Sequence, residues 1–161
     1  MLVLGVDPGS RVTGYGVVLV KNGCCEYVAT GCIRLSGDFP VRLSQLYDSL
    51  LQIAEQYKPN YCAIESVFMH KNPNSALKLG QARGVCLLAL NQLVGLPAEY
   101  APRLVKQSLV GFGGASKDQV QFMVQKYLNL DKSPSEDAAD ALAIALCHIS
   151  FSKRSLQIPA S

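Results

Sequence analysis

The sequence predicts an α/β domain, one mixed five-stranded sheet with helices on both faces. Two observations carry this prediction. Three strand-like segments follow one another through tight turns at the start of the chain, which favours an antiparallel half. Two further short apolar runs are separated by helical stretches, which favours parallel additions to the same sheet. No repeat or linker interrupts the 161 residues, so a single domain over 1–161 is expected, with a loose tail from about residue 152.

Residues 2–6 are a short apolar run closed by Asp7-Pro8-Gly9, the pattern of a buried strand. A second strand is expected at about 13–20 and a third at about 24–35, joined by the turn Lys21-Asn22-Gly23. Asp38 and Pro40 signal a helix start, and Leu43, Leu46, Tyr47, Leu50, Ala54 and Tyr57 then share one helical face. Lys58-Pro59-Asn60 ends it, and residues 61–65 form the fourth strand. Asn74 is a candidate cap for a long helix to about Val94, with Gly95 and Pro97 beyond it and a short strand at about 99–101. A helix over 102–110 leads into Gly111-Phe112-Gly113-Gly114. Ser116 starts the next helix, with Val120, Met123, Val124 and Tyr127 on its buried side. Ser133-Pro134-Ser135-Glu136 reads as a capping box for the last helix. The whole is a ribonuclease-H-like arrangement.

Composition excludes several classes. With 49% hydrophobic and 17% charged residues the chain is globular, not disordered. The first apolar run falls short of the about 7–15 residues of a signal-peptide core, and no stretch reaches the about 18 of a membrane span. A cytoplasmic protein is expected. The six cysteines form no C-x-x-C pair, and only His70 and His148 could join them, so zinc and disulfide frameworks are disfavoured; the thiols read as small buried hydrophobes. Net charge is only +3, yet residues 66–130 carry seven basic side chains against two acids. That imbalance points to a polyanion only if the bases converge on one groove.

Four carboxylates suggest chemistry. Asp7 and Glu65 stand at strand ends, and each alone has an ordinary explanation: a turn residue in Asp-Pro-Gly-Ser, and a solvated glutamate. Asp137 and Asp140, three apart on an otherwise apolar helix, share one face. The helix dipole accounts for Glu136 and even Asp137 in the first turn, but does not reach Asp140. No Arg or Lys follows nearby until Lys153, so a metal ion is the better partner. Oxygen-only ligands suit Mg²⁺ or Mn²⁺, and two such ions can drive in-line displacement at phosphate.

The segments GVDPGSRVTGYG (5–16), AIESVFM (63–69), SALKLGQARG (75–84) and DAADALAIA (137–145) resemble the RuvC family of bacterial Holliday-junction resolvases, and the likeness runs to about residue 150. The resemblance implies metal-binding and catalytic roles for Asp7, Glu65, Asp137 and Asp140, with two Mg²⁺ ions per site and Mn²⁺ as a substitute. Some relatives carry histidine at the third position; Asp137 keeps this set all-oxygen. It also implies a homodimer that nicks opposing strands of a four-way junction symmetrically, leaving 5′-phosphate and 3′-hydroxyl ends, alongside a RuvA–RuvB branch-migration complex. Phe68 falls where the family inserts an aromatic near the crossover, although most phenylalanines are simply core. Lys106 and Lys117 align with basic positions near the scissile phosphate, and Lys78 and Arg83 are further DNA-binding candidates. Gly80 and Gly84 give the long helix a smooth stripe, suited either to the sheet or to a second subunit. A junction-binding module without catalysis, and a nucleotide-binding protein of the sugar-kinase type, are the alternatives; the second normally needs two such domains.

Overall fold

The computed structural model describes residues 1–66 and 72–156, with residues 153–156 as backbone alone. The elements are β1 (Leu2–Asp7), β2 (Val12–Lys21), β3 (Cys24–Arg34), α1 (Phe39–Tyr57), β4 (Tyr61–Glu65), α2 (Pro73–Leu93), β5 (Ala98–Tyr100), α3 (Pro102–Val110), α4 (Lys117–Tyr127) and α5 (Glu136–Leu156). The sheet order is β3-β2-β1-β4-β5. β2 is antiparallel to both its neighbours, β1 and β3, whereas β4 runs parallel to β1 and β5 parallel to β4. The β2–β3 turn uses Asn22 and Gly23 at positive φ (51° and 81°), the conformation that matches strand twist in a tight hairpin.

Two helix starts, those of α2 and α5, differ in detail from the sequence expectation, and α4 starts after Ser116 as expected. The cap of α2 is Asn72, not Asn74: its side-chain oxygen accepts the N–H groups of Asn74 (3.0 Å) and Ser75 (3.3 Å). A reciprocal capping box occurs at α4, where Ser116 Oγ accepts from Gln119 N–H and Gln119 Oε1 accepts from Ser116 N–H. At α5 the expected box is displaced. Ala139 N–H closes the first turn on the carbonyl of Ser135, and the helix begins at Glu136. Gln121 holds the Pro134 carbonyl from α4, so tertiary contact fixes residues 133–135 ahead of the helix. α5 then continues through Leu156, and the tail expected from about 152 starts inside it.

Side-chain alternation divides the core in two. Leu4, Val6, Cys62 and Ile64 face α1 and α2, while Val3 and Ala63 face α3, α4 and α5. By the same parity Asp7 and Glu65 fall on the α5 side. Most of α5 from Ala138 to Ile149 is buried, as its apolar sequence predicts. Cys62, Cys86 and Cys147 are buried as expected, but Cys24 is exposed on edge strand β3, and Cys25 and Cys32 are half-buried. Tyr127 is half-exposed instead of buried; Leu128 takes the inward place as α4 unwinds into Asn129 at φ 49°.

α5 lies directly on a patch of strand glycines. Gly5 and Gly16 pair across β1–β2, and Gly14 pairs with Asp7. A Cβ at Gly14 would meet the Asp137 carbonyl at 2.1 Å, one at Gly5 the Ala141 carbonyl at 2.2 Å, and one at Gly16 the Leu142 backbone at 2.8 Å. Thr30 of β3 adds a tie, donating to the carbonyls of Tyr15 (2.7 Å) and, more weakly, Ala138 (3.3 Å). Gly14→Ala is therefore expected to lift the head of α5 and destabilise the protein by about 1–3 kcal/mol, the usual range for overpacking. Urea denaturation should show a lower midpoint at unchanged slope, and an unshifted midpoint would refute the close seating.

Candidate active site

Asp7 ends β1, yet it is no simple turn residue. It still pairs with Gly14, and the loop after it is tied by Thr13, whose buried hydroxyl accepts from Gly9 N–H (3.1 Å) and donates to the Gly9 carbonyl (3.0 Å). Glu65 ends β4 one strand away, level with Tyr100 of β5, and the ladder is prolonged by Ser66 N–H to the Tyr100 carbonyl (2.8 Å). Asp137 and Asp140 come from the first turns of α5, which the glycine seat sets over these strand ends.

The four carboxylates share one electrostatic neighbourhood. Burial, then Glu65, Asp140 and Asp137 in turn, push Asp7 up to about 8, with Lys117 opposing. Burial and Asp140 push Glu65 up to about 7 against Lys106 and Lys117. Burial also raises Asp140, countered first by Lys117, while Asp137 adds to the rise. Asp7, Glu65 and Asp140 make no side-chain hydrogen bond or ion pair among the described residues. Among the described residues no buried side-chain oxygen is sealed off without a partner, so the oxygens of these acids are not fully shut away from solvent. Nor are three acids among the described residues already gathered about one point as a finished metal cage.

A cleft of about 200 Å³ lies over Glu65 and Asp140, with Lys106 of α3 and Lys117 of α4 in its walls. Helix-local reasoning left Asp140 without a basic neighbour; tertiary structure supplies two. Lys117 also pairs with Glu136, an exposed contact worth little in stability. The other basic candidates are elsewhere. Lys78 is exposed on α2 with its ammonium 5.8 Å from the Phe39 ring centre. Arg83 points inward: its Nε donates to the Glu65 carbonyl (3.1 Å) and its Nη2 pairs with Glu99 of β5. Phe68 lies outside the described residues. Sequence reading missed the glycine seat altogether, although Gly5, Gly14 and Gly16 inside strands were a usable sign of close backbone approach.

The family model described as crossover junction endodeoxyribonuclease RuvC matches residues 3–148. The chain belongs to the RuvC family. It is 57% identical over 149 residues to the RuvC of Tolumonas auensis, covering 91% of this chain and 86% of that one. Against the RuvC of Francisella tularensis subsp. novicida identity is 54% over 156 residues, covering 95% and 90%. Thermus thermophilus RuvC in complex with Holliday junction substrate superposes with a TM-score of 0.89 at 33% identity, over 96% of both chains. The yeast mitochondrial Holliday junction resolvase Ydc2 shares the fold at a TM-score of 0.65 and 14% identity, covering 94% of this chain and 80% of that one. No helix among the described residues is long and apolar enough to cross a membrane.

The raised carboxylates carry a pH signature. Without cations, the folded protein keeps protons that the unfolded chain releases near 3.8 for Asp7 and 4.5 for Glu65. Between those values and about 7 to 8 the unfolded state binds fewer protons, so this stability is complete at low pH and is lost as pH rises through the window. In chelator, the melting temperature should fall from about pH 5 to about pH 8, and Asp7→Asn should flatten the fall. Calorimetry across that range tests it; a wild-type melting temperature that rises instead would contradict the assignment.

Proposed function

We propose that this chain resolves four-way DNA junctions by hydrolysing one phosphodiester in each of two opposing strands, leaving 5′-phosphate and 3′-hydroxyl ends. The observation that carries the reading is the electrostatic coupling of Asp7 to Glu65, Asp140 and Asp137, with Glu65 and Asp140 lining a cleft walled by Lys106 and Lys117, in a RuvC-family chain. The Thermus relative solved with a Holliday junction supports four-way DNA as the substrate.

The donor set fits a hard divalent cation. It is all oxygen, its like charges repel, and no basic group among the described residues neutralises it by direct pairing. Asp7, Glu65, Asp137 and Asp140 would hold Mg²⁺, or Mn²⁺ in its place, with enough carboxylates for two ions and with rotamer changes completing the coordination. Such ions supply an activated water and charge stabilisation for the leaving oxygen. The chain does the rest. Its acids give up their protons, the glycine seat fixes the carriers of Asp137 and Asp140, and Lys106 and Lys117 offset phosphate charge at the Glu65–Asp140 side. Phe68, three residues past Glu65, is assigned a stacking role on sequence grounds, and exposed Lys78 a contact to backbone phosphate.

Two symmetric cuts call for a homodimer in the cytoplasm, acting with a RuvA–RuvB branch-migration complex. The outer face of α2 suits the dimer contact. Leu77 and Leu88 are 66% and 60% exposed, and Gly80 and Gly84 between them have nothing within 4 Å of an added Cβ. These glycines therefore do not pack on the sheet.

Asp7→Asn should lower Mg²⁺-dependent nicking of a synthetic four-way junction at least about a thousandfold, some 4 kcal/mol of transition-state stabilisation, while junction binding survives. Undiminished cleavage by that variant would sink the site assignment. Leu88→Glu should weaken self-association by about tenfold or more in sedimentation equilibrium, and an unchanged association constant would exclude this face of α2.

A further inference from the structure

Arg83 stands among the basic residues that a sequence reading assigns to DNA, but its surroundings indicate another task. Its side chain is only 17% exposed. The guanidinium sits between two strand ends, with Nε donating to the Glu65 carbonyl at 3.1 Å and Nη2 paired with the Glu99 carboxylate. Glu99 neighbours Ile64 in the β4–β5 ladder, so both anchors belong to the same pair of parallel strands. Arg83 itself is carried by α2, whose adjacent Ala82 and nearby Cys86 are fully buried against that sheet face. The arginine thus ties a rigidly packed helix to the backbone of Glu65, the residue whose carboxylate enters the cleft from the other side of the strand.

That carbonyl is where regular strand pairing runs out. Beyond Glu65, among the described residues, only Ser66 N–H continues the ladder, to Tyr100. β5 is three residues long and a weak brace on its own. A planar, permanently charged donor that grips a carbonyl and a carboxylate at once restricts rotation of this strand end, as a single-point lysine contact cannot. A carbonyl displaced there would swing the Glu65 carboxylate relative to Asp7 and Asp140.

We infer that Arg83, locked by Glu99, is a positioning residue that holds Glu65 in its working place, and not a DNA contact. The inference rests on the reading that Glu65 serves the nuclease site. It gives Glu99, an acid of β5 on the α2 side, a reason to be there. It also separates Arg83 from Lys106 and Lys117, which face the cleft directly.

The test uses full-length Arg83→Gln, Arg83→Lys and Glu99→Gln beside the wild type. Single-turnover cleavage at saturating junction, junction affinity in chelator, and the Mn²⁺ concentration that half-maximally raises the melting temperature are measured for each. Positioning predicts that Arg83→Gln and Arg83→Lys cut about 10–100-fold more slowly and need more Mn²⁺ for the same thermal shift, with metal-free affinity unchanged. Glu99→Gln should shift both quantities in the same direction by less, again without changing affinity. A DNA contact predicts the reverse: Arg83→Gln weakens binding and lowers the salt dependence by about one charge, while Glu99→Gln frees the arginine and tightens binding. That second pattern, or wild-type behaviour of all three variants, overturns the inference. If Arg83→Gln does not fold, Glu99→Gln alone decides: slower cleavage at unchanged affinity supports positioning, and tighter binding without slower cleavage overturns it. A wild type that never cleaves would instead count against the nuclease reading itself.

Discussion

The contact on which the rest of this structure depends is the backbone-to-strand seating of α5 on Gly5, Gly14 and Gly16. Side chains normally fill the gap between a helix and the sheet it packs on and hold the two backbones apart. Here the strands present no side chain at three adjacent places, and the Asp137 and Ala141 carbonyls occupy the space that a Cβ would need. The helix answers with Ala138, Ala139, Ala141, Ala143 and Ala145, which keep its own surface low. The result is a short lever: Asp137 and Asp140 are brought close to Asp7 without long side chains having to reach. Because Gly14 is the cross-strand partner of Asp7, the same register that ends β1 sets where α5 lands.

This closeness creates the electrostatic problem that defines the site. Burial and mutual repulsion hold Asp7 and Glu65 far above the usual carboxylate range, and the two lysines of the cleft relieve only part of it. A structure optimised for stability alone would replace such a cluster with apolar groups. Its persistence makes sense if an external cation completes it. The rigid supports around the cluster, from the glycine seat to the Thr13 clasp on Gly9, keep like charges from relaxing apart. Strain of this kind is affordable because the two hydrophobic cores on either sheet face are independent of it.

How far the sequence disclosed all this varies by level. Strands and helices were legible because apolar periodicity and turn residues act locally; Asn22-Gly23 and the 61–65 run needed no tertiary information. Caps were less so. Asn72 and Asn74 are equally plausible by composition, and the Ser133–Glu136 box gave way to a start at Glu136 that Gln121 helps to fix from another helix. Among the basic candidates, Lys106 and Lys117 stand in the wall of the cleft over Glu65 and Asp140, whereas Arg83 is turned inward by Glu99, sixteen residues away in the chain.

By itself the sequence determined the element order, the ribonuclease-H-like class, the four acids and the family, since these are written in period, spacing and motif. It also determined that Asp140 required a partner beyond its own helix. Only the tertiary structure decided which partners came near: Lys106 and Lys117 across the cleft, Glu65 through the parity of β4, and Asp7 beneath the head of α5. The physical reason is that these relations depend on strand register and on how closely a helix can approach a sheet. The helix approach is set by contacts between residues more than a hundred positions apart, and the place of β4 by pairing with the distant β1, neither of which a local pattern encodes.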